Sequence, residues 1–238
     1  MKLTILQVGE TPKPMRDRFE RFEPLFETMF AKAGADFAFE TVAIVDGAPF
    51  PDPENVEGVI ITGSAAGVYD QTPWMDPLRH FIRTAYEAST PMLGVCFGHQ
   101  IMADALGGDV RKSEKGWGIG RHVYRRDATL GPLAHLADTI AIAASHQDQV
   151  ITPPATARVF LSSDFTPNAG LTYENGAAIS LQPHPEFDDA YTEGLIELRR
   201  NNPLDTDVVE TLKAGLADSF DNIAVAKALA LFLKQARL

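Results

Sequence analysis

The chain has 238 residues, 45% hydrophobic and 22% charged, an ordinary composition for a globular protein with room for one large core or two small ones. A formal net charge of −11 and an isoelectric point near 4.9 argue against nucleic acid or an anionic membrane surface as a partner. A single cysteine excludes an internal disulfide framework and a multi-cysteine metal site, and it suits a reducing, cytoplasmic compartment.

Residues 2–8 read as a buried strand, too quickly polar for a signal segment, and no apolar run reaches membrane-spanning length. Residues 16–34 carry Phe19, Phe22, Leu25, Phe26, Met29 and Phe30 at helical spacing and stop at Gly34; these aromatics read as core. Residues 37–45 and 56–62 read as the next strands, the latter ending in the turn Gly63-Ser64-Ala65-Ala66-Gly67. Residues 75–88 are helical, and 92–95 form a strand that leads into Cys96. A helix over 100–106 follows and stops at Gly107-Gly108. The pattern then turns strand-rich, at 120–125, 139–143, 158–163, 169–173 and 177–181. It ends in helices at 188–200 and 223–237. Alternating strands and helices imply a parallel sheet with crossover connections. The expectation is one α/β domain over residues 1–238: an open, mostly parallel sheet with helices on both faces and an antiparallel, strand-rich extension.

Cys96 sits between strand and helix, with Gly94 and Gly98 on either side. Glycines permit a sharp, close-approach turn, and a thiol at a helix N-terminus feels the positive end of the macrodipole, which favours the thiolate. A buried structural cysteine fits the same turn. In open α/β sheets ligands sit at the carboxyl ends of strands, where the Gly63 and Cys96 turns both lie. A nucleophilic thiol needs a base, and the base an orienting acceptor. Among six histidines, His184 follows a strand, is held between Pro183 and Pro185, and has Glu186 two residues on, where an extended segment points both side chains the same way. A rigid proline turn would look the same. His80, His122 and His135 have no partner motif, His99 reads as packing, and no pair of histidines has metal-ligand spacing. The glycines of 116–120 are too closely spaced for a dinucleotide fingerprint, so no cofactor is expected.

Three segments together, Gly94-Val95-Cys96-Phe97-Gly98-His99-Gln100, Ser145-His146-Gln147-Asp148-Gln149-Val150 and Gln182-Pro183-His184-Pro185-Glu186, resemble the class I, triad-type glutamine amidotransferases. The turn from Thr62 to Asp70 is similar to that family's glycine-rich oxyanion strand. The resemblance implies a flavodoxin-like fold and hydrolysis of the glutamine γ-amide through a Cys96 thioester. His184 would be the base and Glu186 its orienting group. The backbone N–H groups of Phe97 and of Gly63-Ser64 would form the oxyanion hole. Gln100, Ser145, His146, Gln147 and Asp148 would bind the substrate, the last four as a loop holding its α-amino and α-carboxylate groups. The ammonia would pass to an acceptor or to a separate synthetase subunit. Alternatives are a free-standing γ-glutamyl hydrolase or peptidase with the same triad, and a binding protein that has lost the chemistry.

Overall fold

Leu3, Ile5 and Leu6 are all buried in β1 (Lys2–Gln7), on both sides of the ribbon, as a parallel strand covered by helices on either face requires. The structure is a computed structural model, and it describes residues 1–19 and 21–236. β1 lies between β2 (Ala38–Ala43) and β3 (Val59–Ile61), and β3 is followed by β4 (Met92–Val95), all parallel. The next neighbour of β4 is not the next strand in the chain but the last, β11 (Ala178–Leu181), also parallel. Beyond it the same sheet runs on antiparallel through β10 (Gly170–Tyr173), β9 (Ala157–Ser162), β6 (Gly118–Arg126) and β7 (Thr139–His146). The expected extension is thus the other half of one nine-stranded sheet.

Two apolar layers sandwich this sheet. On one face α1 (Pro24–Lys32) and α6 (Asn222–Gln235) pack with Phe26, Phe30, Val225 and Leu229 inward. On the other, α2 (Met75–Glu87) and α3 (Phe97–Ala105) contribute Leu78, Ile82, Ile101 and Met102. Two further helices, α4 (Asp189–Glu197) and α5 (Thr206–Ala214), cover β6 through a small cluster of Ile119, Ile196 and Val209. No helix among the described residues is long and apolar enough to cross a membrane.

The structure departs from the sequence expectations in three places. The first helix starts at Pro24, not Arg16. Proline is suited to a helix's first turn, but further inside it would meet the carbonyl four residues upstream, so the periodic aromatics before it cannot belong to the same helix. Lys13–Met15 forms a short 3-10 turn instead, and Phe19 and Phe22 reach across to Tyr191, with ring centroids 4.9 and 6.2 Å away. The second departure is a two-stranded sheet of β5 (Asp109–Lys112) and β8 (Asp148–Thr152). The expected substrate loop is therefore a tight link between strands: Ser145 and His146 end β7, and Asp148 opens β8. The third is α5, which buries only Val209 and so leaves almost no apolar period to read. Of the expected last helix, Arg237 lies outside the described residues, as does Glu20 of the first.

Candidate active site

Three turns leave the carboxyl ends of the adjacent parallel strands β3, β4 and β11 and converge at one end of the sheet. The first is the Gly63 turn, the second holds Cys96, and the third holds His184. The Cys96 amide donates to the Leu181 carbonyl at 2.8 Å, which locks the second turn to the third. Cys96 takes φ +54° and ψ −104°, a conformation that side-chain-bearing residues avoid. Such strain is expected where the strand must reverse sharply into a helix and present a side chain at the bend.

Glycine makes that reversal possible by close approach. A Cβ at Gly98 would lie 2.2 Å from the Ile61 carbonyl oxygen, and one at Gly94 would lie 2.6 Å from the Gly98 carbonyl. Hydrogens at these positions let the first turn of α3 press against β3 and β4. The Phe97 N–H, first in α3, has no intrahelical acceptor and points out of the N-terminus, where a negative charge is favoured. The Phe97 ring itself is buried edge-on against Trp74, so only its backbone bears on the site.

His184 and Glu186 are both buried, and the imidazole Nδ1 lies 2.7 Å from Glu186 Oε1. The other carboxylate oxygen is buried with no partner. Phe187 stacks flat on the imidazole, centroids 3.9 Å apart and planes within 8°, which fixes the ring plane. Burial alone would push His184 down, but the Glu186 carboxylate and the Cys96 sulfur outweigh it and hold the imidazole up at about 10. Cys96 and His184 line one cavity, and the sulfur acts on the ring both through its charge and as a hydrogen-bond partner. The Gly63 turn meets them both. A Cβ at Gly63 would lie 3.2 Å from His184 Cε1 and 3.7 Å from Cys96 Cβ.

The cavity measures about 330 Å³ and is lined by Gly63, Ser64, Cys96, Gln100, Ser145, His146, Gln147, Asp148 and His184 among others. Every residue expected to bind substrate is therefore on its wall. Their side chains are partly committed within the protein. Gln100 Nε2 donates to the Asp148 carbonyl at 2.9 Å and to Gln182 Oε1 at 3.1 Å. His146 is buried, with Nδ1 3.1 Å from the Asp148 carbonyl and Nε2 3.5 Å from Thr166 Oγ1, and burial drives its pKa down to about 3. It is a neutral ring that shapes the link between β7 and β8. His99, also neutral with a pKa lowered to about 3 by burial, ties α3 to β11 through Ser180 Oγ at 2.8 Å.

Sequence reasoning missed part of the wall. Tyr69, in the loop beyond the Gly63 turn, donates to Asp148 Oδ2 at 2.8 Å and links two walls of the cavity. Phe22, read as core, is buried but faces the cavity. Phe187, Tyr191, Leu195, Arg199 and Trp117 complete it. Phe187, Tyr191, Leu195 and Arg199 recur every four residues through α4 and the turns at its two ends, but that spacing gives only a shared side and not what the side faces.

Comparison with known proteins bears on this arrangement. The profile of the family described as "Glutamine amidotransferase class-I" matches residues 28–195. A GMP synthase [glutamine-hydrolyzing] of Trichormus variabilis is 31% identical over 148 residues, 62% of this chain and 26% of that protein. The chain thus spans about a quarter of the length of that relative. Gamma-glutamyl peptidase 2 of Arabidopsis thaliana is 27% identical over 192 residues, 78% of this chain and 76% of that one. The crystal structure of a glutamine amidotransferase from Thermotoga maritima superposes with a TM-score of 0.75 at 19% identity, covering 100% of this chain and 97% of the other, which establishes a shared fold.

Proposed function

This chain belongs to the class I glutamine amidotransferase family, and we propose that it hydrolyses the side-chain amide of glutamine, or of another γ-glutamyl compound, through a thioester on Cys96. The observation that carries the reading is a strained cysteine at a helix N-terminus sharing one cavity with a buried, carboxylate-held histidine. In the proposed reaction the Cys96 thiolate attacks the amide carbon. Negative charge develops on the amide oxygen and is met by the Phe97 N–H and the Gly63-Ser64 turn. The C–N bond breaks as His184, protonated, gives its proton to the departing nitrogen. Ammonia leaves, or an amine where the amide is substituted. His184 then takes a proton from water, hydroxide attacks the thioester, and the γ-carboxylate is released with the thiol. Glu186 holds the imidazole in the tautomer that leaves Nε2 free for this work.

Two destinations for the nitrogen remain distinct. In the first reading ammonia passes to an acceptor bound by a separate synthetase chain. In the second the chain acts as a γ-glutamyl peptidase, a reading favoured by the longer match to the Arabidopsis peptidase, 78% of this chain against 62% for the GMP synthase. A γ-glutamyl electrophile is expected to label Cys96 in the wild-type chain and nothing in the Cys96→Ser variant. No labelling of a folded sample would remove the enzymatic reading. Steady-state hydrolysis of glutamine against γ-glutamyl dipeptides separates the two destinations: a dipeptide preference above about tenfold in kcat/KM marks the peptidase.

A further inference from the structure

One wall of the cavity carries a cation without a counter-ion. Phe187, Tyr191, Leu195 and Arg199 run along it through α4 and the turns at its two ends. The Arg199 guanidinium lies over the face of Trp117, with Cζ 4.0 Å from the ring centroid, so the ring's quadrupole holds it in place. Its Nε is buried without a hydrogen-bond partner. Among the described residues no carboxylate pairs with it, and burial alone acts on its titration, pulling it below the usual arginine value. The neighbouring Arg200 shows the contrast, because it is paired with both Glu197 and Glu210. Nor do the cavity's own acids serve Arg199. Glu10 pairs with Arg16, Asp70 accepts from the Gly67 N–H, and Asp148 accepts from Tyr69. Trp117 immediately precedes Gly118, which pairs with His146, so the cation stands beside the 145–148 link.

A planar guanidinium, stacked on one face and unpaired along its edge, is preorganised for a carboxylate in two-point contact. We propose that Arg199, steadied by Trp117, is a specificity-determining subsite that docks a carboxylate of the substrate. The inference rests on the γ-glutamyl reading above and says which chemistry that substrate carries away from its scissile amide. The carboxylate has two possible sources, the α-carboxylate of the γ-glutamyl group or an acid on the departing amine, and both offer the same charge and geometry.

The test measures kcat and KM for the wild type, Arg199→Gln and Arg199→Lys on four probes: L-glutamine, its α-amide, γ-glutamylglycine and γ-glutamylglycinamide. Alkylation of Cys96 by iodoacetamide, a reagent that carries no carboxylate, monitors the integrity of the site. Arg199→Gln is expected to lower kcat/KM about tenfold to a hundredfold, mainly through KM, on probes bearing the recognised carboxylate. The matching amide probe and the alkylation rate should change less than about twofold, within the effect of an ordinary surface substitution. A loss on glutamine that vanishes with its α-amide assigns the α-carboxylate. A loss on γ-glutamylglycine that vanishes with the glycinamide assigns the amine side. Arg199→Lys keeps the charge without the fork, should fall between, and carries the test if the Gln variant does not fold. Equal losses on acid and amide probes, or none, overturn the subsite while leaving the γ-glutamyl reading intact. A wild type that turns over none of the probes and resists γ-glutamyl labelling overturns both.

Discussion

On the proposed mechanism Glu186 acts only through the ring of His184. The 2.7 Å contact fixes the tautomer, and the carboxylate is the largest of the influences that raise the imidazole against its burial. Glu186→Gln keeps the shape and removes that charge. The imidazole should then lose its proton at lower pH, and the alkaline limb of the kcat/KM profile should move toward acid. Activity should fall less than in His184→Ala, which removes the proton carrier itself. An alkaline limb that stays put in Glu186→Gln would contradict this role. The residues of this relay were legible because each has a local signature: a glycine-flanked thiol, and a histidine fenced by prolines with an acid two places on. Phe187 and Arg199 were not, because what they touch depends on where α4 docks against β6.

At the level of elements, glycine sets the distances between the parts. Gly98 faces backbone, where an added methyl at 2.2 Å from the Ile61 carbonyl has nowhere to go. Gly63 faces the cavity, where an added methyl would crowd the imidazole at 3.2 Å. The two Gly→Ala changes should therefore fail differently. Gly98→Ala should lower thermal stability by several kcal/mol, in the range of severe core overpacking. Gly63→Ala should melt within a few degrees of the wild type yet lose most of its turnover. Thermal melts beside activity assays would show it; a stable Gly98→Ala protein would mean that α3 does not sit where described. The strand and helix order was readable because apolar runs and punctuating glycines recur in register with the elements. The charged β5 and the weakly buried α5 escaped, since each buries too little to leave a pattern. The stretch 16–34 misled because a real apolar period continues across Pro24, where the helix in fact begins.

Across the whole molecule, buried histidines pull stability in opposite directions with pH. His99 and His146 are held neutral, near 3, whereas an unfolded chain would protonate them near 6.5. Unfolding takes up protons between those values, so their contribution is full above about pH 6.5 and fades as pH falls toward 3. His184, raised from 6.5 to about 10, has the reverse sign: its contribution is full below about pH 6.5 and is lost as pH rises toward 10. Melting temperature against pH should therefore crest near neutrality, and His184→Ala should flatten the alkaline side of that curve. A wild-type profile that keeps rising to pH 9 would contradict the assignment.

The placement of β11 beside β4 has a consequence during biosynthesis. The strand that carries the sulfur is made early, but the neighbour that brings the imidazole to it is among the last parts of the sheet to leave the ribosome. Until then, on the proposed mechanism, the growing polypeptide holds a thiol without the histidine that serves it. On that mechanism, zipping the centre of the sheet is also the step that completes the catalytic pair.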